Sequence, residues 1–289
     1  MCEHYDLIVH HNDLDGHVAA WVLWMSRTKY TPMLRAVDYG DAAPDVYRQR
    51  TAVVDFCFDR ETMDAMAERA PQFLVLDHHQ STLDKYPEGL PDWLHVDRNH
   101  AACRMAWDYL YPGKDPPPIV KFVEDQDLWR FQLPGTREYC AALETYREFG
   151  GWPMHVLEAQ YRRPFEELIA EGRPIVAMMD RQIDTAVARS RRVLLSVPAK
   201  DGGVGTHMEA VVTNSTVHPS EVADALLSQD GVPDLAIVWW NNGRGYHYSL
   251  RSKTREDVCD IATLLGGGGH KRAAGIQREI PLHWSLLDD

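Results

Sequence analysis

The stretch Tyr5-Asp6-Leu7-Ile8-Val9-His10, followed at once by His11-Asn12-Asp13-Leu14-Asp15-Gly16, decides how the first half of the chain folds. Its opening residues form a short apolar run of the kind buried on both faces of a sheet, and from Gly16 to Arg27 apolar residues recur at helical spacing. Side chains able to bind metals crowd the junction. Working outward, Pro32 to Val37, Ala52 to Phe56 and Phe73 to Leu76 repeat the strand pattern, while Arg60 to Ala70 and Ala101 to Tyr111 repeat the helical one. This is the β-α-β rhythm of a parallel sheet covered by helices, which places the chain in the α/β class. Polar residues follow the strand ends at His11 to Asp15, at Asp55 and at Asp77 to His79. Open α/β sheets bind ligands at the carboxyl ends of their strands, so these three segments are expected to converge on one site.

From Pro117 the pattern turns helical, through Ile119 to Asp127, Glu138 to Tyr146 and a segment from Phe165 to about Arg191 that Gly172 and Pro174 are expected to interrupt. A second alternating region follows. Its strand candidates are Val193 to Val197, Met208 to Thr213, Leu235 to Trp240 and Tyr246 to Arg251, with helices near Pro219 to Leu227 and Arg255 to Leu265. Two domains are expected: residues 1–190, a parallel-sheet domain with a helical linker, and residues 191–289, a smaller α/β domain. Charge divides in the same way. Residues 1–180 carry 30 acids and 18 bases, whereas residues 181–289 carry 13 and 12, so nearly all of the net charge of −13 lies in the first part. That surplus argues against long duplex DNA held by phosphate neutralisation. The five cysteines contain no C-x-x-C pair, the N-terminus lacks a basic leader pattern, and the longest apolar run, Val18 to Met25, is too short for a bilayer. A cytoplasmic protein without a membrane partner is expected.

The acids and histidines at the strand ends are the candidate chemistry. His10, His11, Asp13 and Asp15 mix imidazole with carboxylate, a donor set that suits Mn²⁺ better than the all-oxygen preference of Mg²⁺. Asp15 alone could equally be a helix cap. Asp55 ends one apolar strand, and Asp77, His78 and His79 end another. Several carboxylates converging in a buried place demand cations, and a binuclear metal centre with one bridging carboxylate answers that demand. Asp125 or Asp127 would close the site. In the second region, Gly266-Gly267-Gly268-Gly269-His270 ahead of Lys271 and Arg272 reads in two ways. The glycine amides and the two bases could hold a phosphate near a helix start, or the run could end the preceding helix as a flexible loop.

His11-x-Asp13-x-Asp15-Gly16, Asp55, Asp77-His78-His79 and Asp125, with Gly266 to His270 and Lys271-Arg272-Ala273-Ala274-Gly275, resemble in order the motifs of the DHH phosphoesterases that carry a C-terminal DHHA1 domain. The resemblance spans almost the whole chain. It implies a metal-dependent phosphodiesterase with two divalent ions, Mn²⁺ foremost and Mg²⁺ or Co²⁺ as alternatives. It implies His11, Asp13 and Asp55 as ligands of one ion, and Asp15, Asp55, His78 and Asp125 as ligands of the other, with Asp55 as the bridge. His79 would face the phosphate, and Asp77 would orient a histidine ring. Some family members place the first motif histidine where this chain has Val9, which keeps His10 as a rival to His11, and Asp127 stays the rival to Asp125. Arg251, Gly267, Gly268, Gly269 and His270 match positions that bind substrate, with Lys271 beside them. A compact protein without the extra regions of the family's long-DNA exonucleases or the membrane segments of its cyclic-dinucleotide enzymes is expected. The implied substrate is therefore a short oligonucleotide or a linear or cyclic dinucleotide. Polyphosphate or a phosphoadenosine-type nucleotide is the alternative, and an inactive nucleotide-binding protein is the reading from another class. A homodimer is compatible with the sequence.

Overall fold

The computed structural model describes residues 4–26, 30–199, 205–253 and 257–287. The first half opens with β1 (Leu7–His11), α1 (Leu14–Met25), β2 (Met33–Val37), β3 (Thr51–Val54), α2 (Arg60–Arg69), β4 (Phe73–Asp77), α3 (Gln80–Asp84) and β5 (Leu94–Val96). The five strands form one parallel sheet in the order β2-β1-β3-β4-β5. Strand alternation sorts the core into two layers. Ile8, Ala52, Val54, Leu74 and Leu76 face one side, and Leu7, Val9, Val53 and Val75 the other. Each fully buried side chain of this size contributes about 1.5–3 kcal/mol. Burial on both faces explains why β1, β3 and β4 read as apolar runs, whereas the edge strand β2 is largely exposed.

Helices α4 (Ala102–Leu110), α5 (Pro118–Asp127), α6 (Thr136–Glu144) and α7 (Met154–Tyr161) follow. Helix α1 is buried from Leu14 through Leu23, its core cluster including residues of the sheet and of α4, α5 and α7. Such all-round burial explains an apolar content that leaves no clear polar stripe. Helix α8 (Phe165–Ala188) is continuous, which corrects the expected interruption. Gly172 is there for contact: a Cβ at this position would lie 1.8 Å from the backbone oxygen of Glu138 in α6. Pro174 is carried inside the helix.

The chain divides within α8 into two compact units, Met1–Val176 and Ala177–Asp289. The second holds β6 (Arg191–Val197), β7 (Thr206–Asn214), α9 (Pro219–Leu227), β8 (Leu235–Asn241), β9 (Tyr246–Ser252), α10 (Val258–Leu264), β10 (Gly268–His270), β11 (Ala273–Arg278) and β12 (Trp284–Leu286). Its seven-stranded sheet has the order β10-β11-β9-β8-β7-β6-β12 and is antiparallel except between β7 and β8. The last turns of α8 and α9 cover one face through Ile183, Ala186, Val222 and Leu226, and α10 covers the other through Val258, Ile261 and Ala262. The glycine run first ends α10, as the cap reading expected: Gly266 is left-handed at φ +87°, its amide donating to the Thr263 oxygen at 3.2 Å and the Gly267 amide to the Ala262 oxygen at 2.7 Å. Gly268–His270 is a strand that turns through Lys271 and Arg272 into β11. Among the described residues, no helix is long and apolar enough to cross a membrane.

Candidate metal centre

The carboxyl ends of β1, β3 and β4 place the acids and histidines together. At the end of β1, Asp13 caps α1, its Oδ1 accepting from the Gly16 amide at 2.9 Å, while its Oδ2 accepts from His11 Nδ1 at 2.6 Å. Gly16 is needed because a Cβ there would sit 2.3 Å from the His11 backbone oxygen. Asp15 does not cap its own helix. Its two oxygens accept the amides of Ala102 at 2.7 Å and Cys103 at 3.0 Å, at the start of α4. The positive end of one helix thus holds a carboxylate carried by another.

Asp55 follows β3 with a left-handed backbone, φ +58°, and is 1% exposed. Neither of its carboxylate oxygens accepts a hydrogen bond. Imidazole nitrogens approach them instead: His78 Nε2 lies 3.2 Å from Oδ1, and His11 Nδ1 lies 3.8 Å from Oδ2. At the end of β4, Asp77 is fully buried and occupied. It accepts from the His78 amide at 2.8 Å, from His79 Nδ1 at 2.7 Å and from the Thr82 hydroxyl. Asp77 therefore fixes the His79 ring and acts as a positioning group.

Asp125 corrects the expectation for the fourth motif. Its oxygens accept from the Gln132 amide at 2.9 Å, the Leu133 amide at 3.0 Å and the Thr136 hydroxyl, so it ties down the chain after α5 and does not join the cluster. Asp127, at the end of the same helix, takes the place instead, with Oδ2 3.5 Å from His78 Nε2. His10 also stands apart. It is buried on the opposite face of the strand, its Nδ1 2.8 Å from the His11 backbone oxygen and its ring 4.4 Å from that of His17. Burial pushes His10 down to about 4 and keeps it neutral.

Three groups of ligand atoms result, each with its atoms within 4.8 Å of one another: His11, Asp13 and Asp55; Asp55, His78 and His79; and Asp15, His78 and Asp127. Asp55 and His78 each belong to two of them. The electrostatics match a site built for cations. Burial, and then the charges of Asp13 and Asp15, push the Asp55 carboxyl well above the usual carboxylate range. Partial desolvation and the charges of Asp15 and Asp13 raise the Asp127 carboxyl as well, with a quarter of its side chain open to solvent. At Asp77, burial opposes ionisation most strongly, but the hydrogen bond and charge of His79, the Thr82 hydroxyl and the charge of His78 together outweigh it and hold the carboxyl down at about 2. At His79, burial works against the proton, yet the hydrogen bond and the charge of Asp77 together leave its affinity raised. An orphaned buried carboxylate among mixed oxygen and nitrogen donors fits divalent metal ions.

Residues absent from the sequence reading also bear on the site. Asn12 links β1 to the end of β2, its amide donating to the Val37 oxygen at 3.1 Å and its side chain to Asp38 Oδ2 at 3.1 Å. Asp38 Oδ1 is 4.0 Å from His11 Nε2. Thr82 had no sequence signal beyond a buried hydroxyl in a short helix.

In the second unit, Arg251 donates to the Ser220 hydroxyl at 2.8 Å and lies directly across from Ala273 in the β9–β11 ladder. The sheet thus brings Arg251 beside the turn formed by Lys271 and Arg272, where the Ser252 amide donates to the Arg272 oxygen at 3.3 Å. Gly267 and Gly269 are tightly enclosed: Cβ atoms there would lie 2.1 Å from the Gly275 oxygen and 2.5 Å from the Ala274 Cα. A Cβ on Gly268 would meet nothing within 4 Å. The His270 side chain lies outside the described residues.

No protein-family model matches the chain. An uncharacterized protein of Acanthamoeba polyphaga mimivirus is 25% identical over 295 residues, an alignment covering 94% of this chain and 67% of that one. The solved structure of the pGpG-specific phosphodiesterase PggH from Vibrio cholerae aligns with a TM-score of 0.52 at 14% identity, over 95% of this chain and 93% of that one. RecJ from Thermus thermophilus, in complex with Mn²⁺, aligns with a TM-score of 0.49 at 14% identity, over 94% of this chain and 49% of its own. The likeness to PggH is one of fold. It matches the two-domain α/β architecture that the motif order implied.

Proposed function

We propose that this chain is a metal-dependent phosphohydrolase that cleaves phosphodiester bonds of short oligonucleotides or dinucleotides. The observation that carries the reading is Asp55: buried, without a hydrogen-bond donor for either oxygen, and shared by two ligand groups at the carboxyl end of a parallel sheet. The likeness of fold to PggH and the ordered motifs support the same chemistry. In this reading His11, Asp13 and Asp55 hold one divalent ion and Asp15, Asp55, His78 and Asp127 hold a second, Mn²⁺ being favoured by the mixed donors. Such ions supply Lewis-acid polarisation of the phosphoryl group and acidify water near neutral pH.

The side chains around them do the rest. The Asp77 carboxylate fixes one edge of the His79 imidazole and favours its protonated form, and that ring donates toward a phosphoryl oxygen as negative charge builds there. Thr82 locks Asp77 in turn. Water oxygen bonds to phosphorus as the ester P–O bond breaks, and a proton goes to the departing sugar oxygen. Arg251, Gly267, Gly268, Gly269 and His270, with Lys271, belong to the same proposal as substrate-binding groups.

The test is a product-resolved screen of 5′-phosphorylated dinucleotides, short oligonucleotides, cyclic dinucleotides, phosphoadenosine nucleotides and polyphosphate, with Mn²⁺, Mg²⁺ or Co²⁺. Mononucleotide products formed with Mn²⁺ and abolished by Asp55→Asn are expected. Phosphate release from polyphosphate alone would reassign the substrate, and turnover by Asp55→Asn at the parental rate would overturn the mechanism.

A further inference from the structure

Beside the candidate metal centre stands an aromatic side chain that is largely exposed. Tyr39 is 68% exposed, although its neighbours in the same ring cluster, Phe56 and Phe58, are 3% and 7% exposed. Its ring lies 5.2 Å from that of Phe56 and meets the His11 ring edge-on at 5.7 Å. Phe56 follows Asp55 directly in the chain, and His11 belongs to the ligand group that contains Asp55. One edge of the phenol therefore rests on the metal-binding residues while much of its surface meets solvent.

The backbone holds it there. Tyr39 sits in a tight turn closed from both sides, the Asp41 amide donating to the Asp38 oxygen at 3.1 Å and the Asp38 amide to Asp41 Oδ2 at 2.9 Å. Gly40 permits the turn with φ +99°. The Asn12 side chain anchors Asp38, and with it the turn, to the loop that carries His11 and Asp13. An exposed aromatic ring fixed in this way has surrendered its freedom before any ligand arrives, which lowers the cost of stacking on it.

We propose that Tyr39 is a nucleobase subsite: the base next to the scissile phosphate stacks on its exposed face, a contact open to any of the bases because each has a π surface. This rests on the phosphodiesterase reading above and adds to it a substrate that carries a base. Polyphosphate gives the ring nothing to bind.

The experiment compares the parent, Tyr39→Phe and Tyr39→Ala on pApA and on the analogue lacking one adenine, with Mn²⁺. On pApA, Tyr39→Ala should raise KM about tenfold, as expected for one lost stacking contact, with kcat nearly unchanged, and Tyr39→Phe should behave as the parent. On the abasic analogue with the stacked adenine removed, parent and Tyr39→Ala should be equal. Equal penalties on pApA and on both abasic isomers, or no penalty on any, would overturn the subsite. If the parent cleaves none of these, the phosphodiesterase reading fails by itself, and the subsite is decided by titration calorimetry of AMP against ribose 5-phosphate. Tighter binding of AMP that Tyr39→Ala removes supports the subsite, and equal binding of the two by both proteins overturns it.

Discussion

Replacing Asp55 by Asn should make the metal-free protein more stable and the metal-loaded protein less so. Asp55 is 1% exposed and its oxygens accept no hydrogen bond, so without a cation the carboxylate bears an uncompensated desolvation cost. A buried unsatisfied polar group costs about 1–3 kcal/mol, more when charged. Asparagine keeps the shape, removes the charge and tolerates the left-handed backbone at φ +58° better than other non-glycine residues. For a unit of this size, 1–3 kcal/mol corresponds to a rise in Tm of about 2–12 °C. The gain should depend on pH. Because the folded carboxyl is held well above its unfolded value near 4, the unfolded chain releases its proton first as pH rises, so the parent loses stability between pH 4 and neutrality while the variant does not. With free Mn²⁺ a hundredfold above its dissociation constant, each site adds about 2.7 kcal/mol to the parent, and the order of melting temperatures should reverse. Differential scanning fluorimetry in EDTA and in Mn²⁺, at pH 5 and pH 7.5, measures all of this. A variant that melts at or below the parent in EDTA, or that keeps the full Mn²⁺ shift, would refute the argument.

Other substitutions separate roles that the structure assigns to neighbouring residues. Asp125→Ala removes the acceptor for two amides and a hydroxyl and should cost about 2–4 kcal/mol in stability, with metal content of the folded protein unchanged; Asp127→Ala should do the converse, as metal analysis after dialysis will read. Asp77→Asn removes the partner that raises the proton affinity of His79, so activity that needs protonated His79 should fall off at lower pH than in the parent, visible as a shifted alkaline limb of the pH–rate profile. Gly269→Ala, with its Cβ 2.5 Å from the Ala274 Cα, should lower Tm, whereas Gly268→Ala meets nothing and should leave Tm in place. A loss of substrate affinity in Gly268→Ala at unchanged Tm would mark the hairpin as a binding element.

What could be read from the sequence was governed by periodicity. The central strands β1, β3 and β4 of the first sheet are apolar on both faces, so their ends, and the acids placed there, stood out. His10 and His11 were harder to tell apart because both are polar at a strand end. Alternation sends His10 under α1 beside His17 and leaves His11 at the rim. Asp125 and Asp127 share one helix, and apolar neighbours alone did not show that the helix stops at Asp127 or that the following loop needs a carboxylate to close it. The tetraglycine allowed both a cap and a phosphate loop. The cap holds at Gly266 and Gly267, which close α10, whereas the strand that follows, whose glycines let β11 approach, depends on long-range pairing that local sequence does not encode. Helix α8 continued through Pro174 because breaker residues set only a local penalty, which packing of the whole helix overcomes.

The amides of Ala102 and Cys103 on Asp15 bear on how such a protein could lose its chemistry by mutation. Asp55 and Asp127 serve no hydrogen bond that the fold requires, so a lineage released from its reaction can shed them cheaply, and at Asp55 with a gain in stability. Asp15 is different. Removing it strands two donors at the start of a helix whose other side is core. An inactive descendant of this chain should therefore still carry an aspartate at position 15, a fossil of the site kept by the architecture, long after Asp55 and Asp127 have drifted.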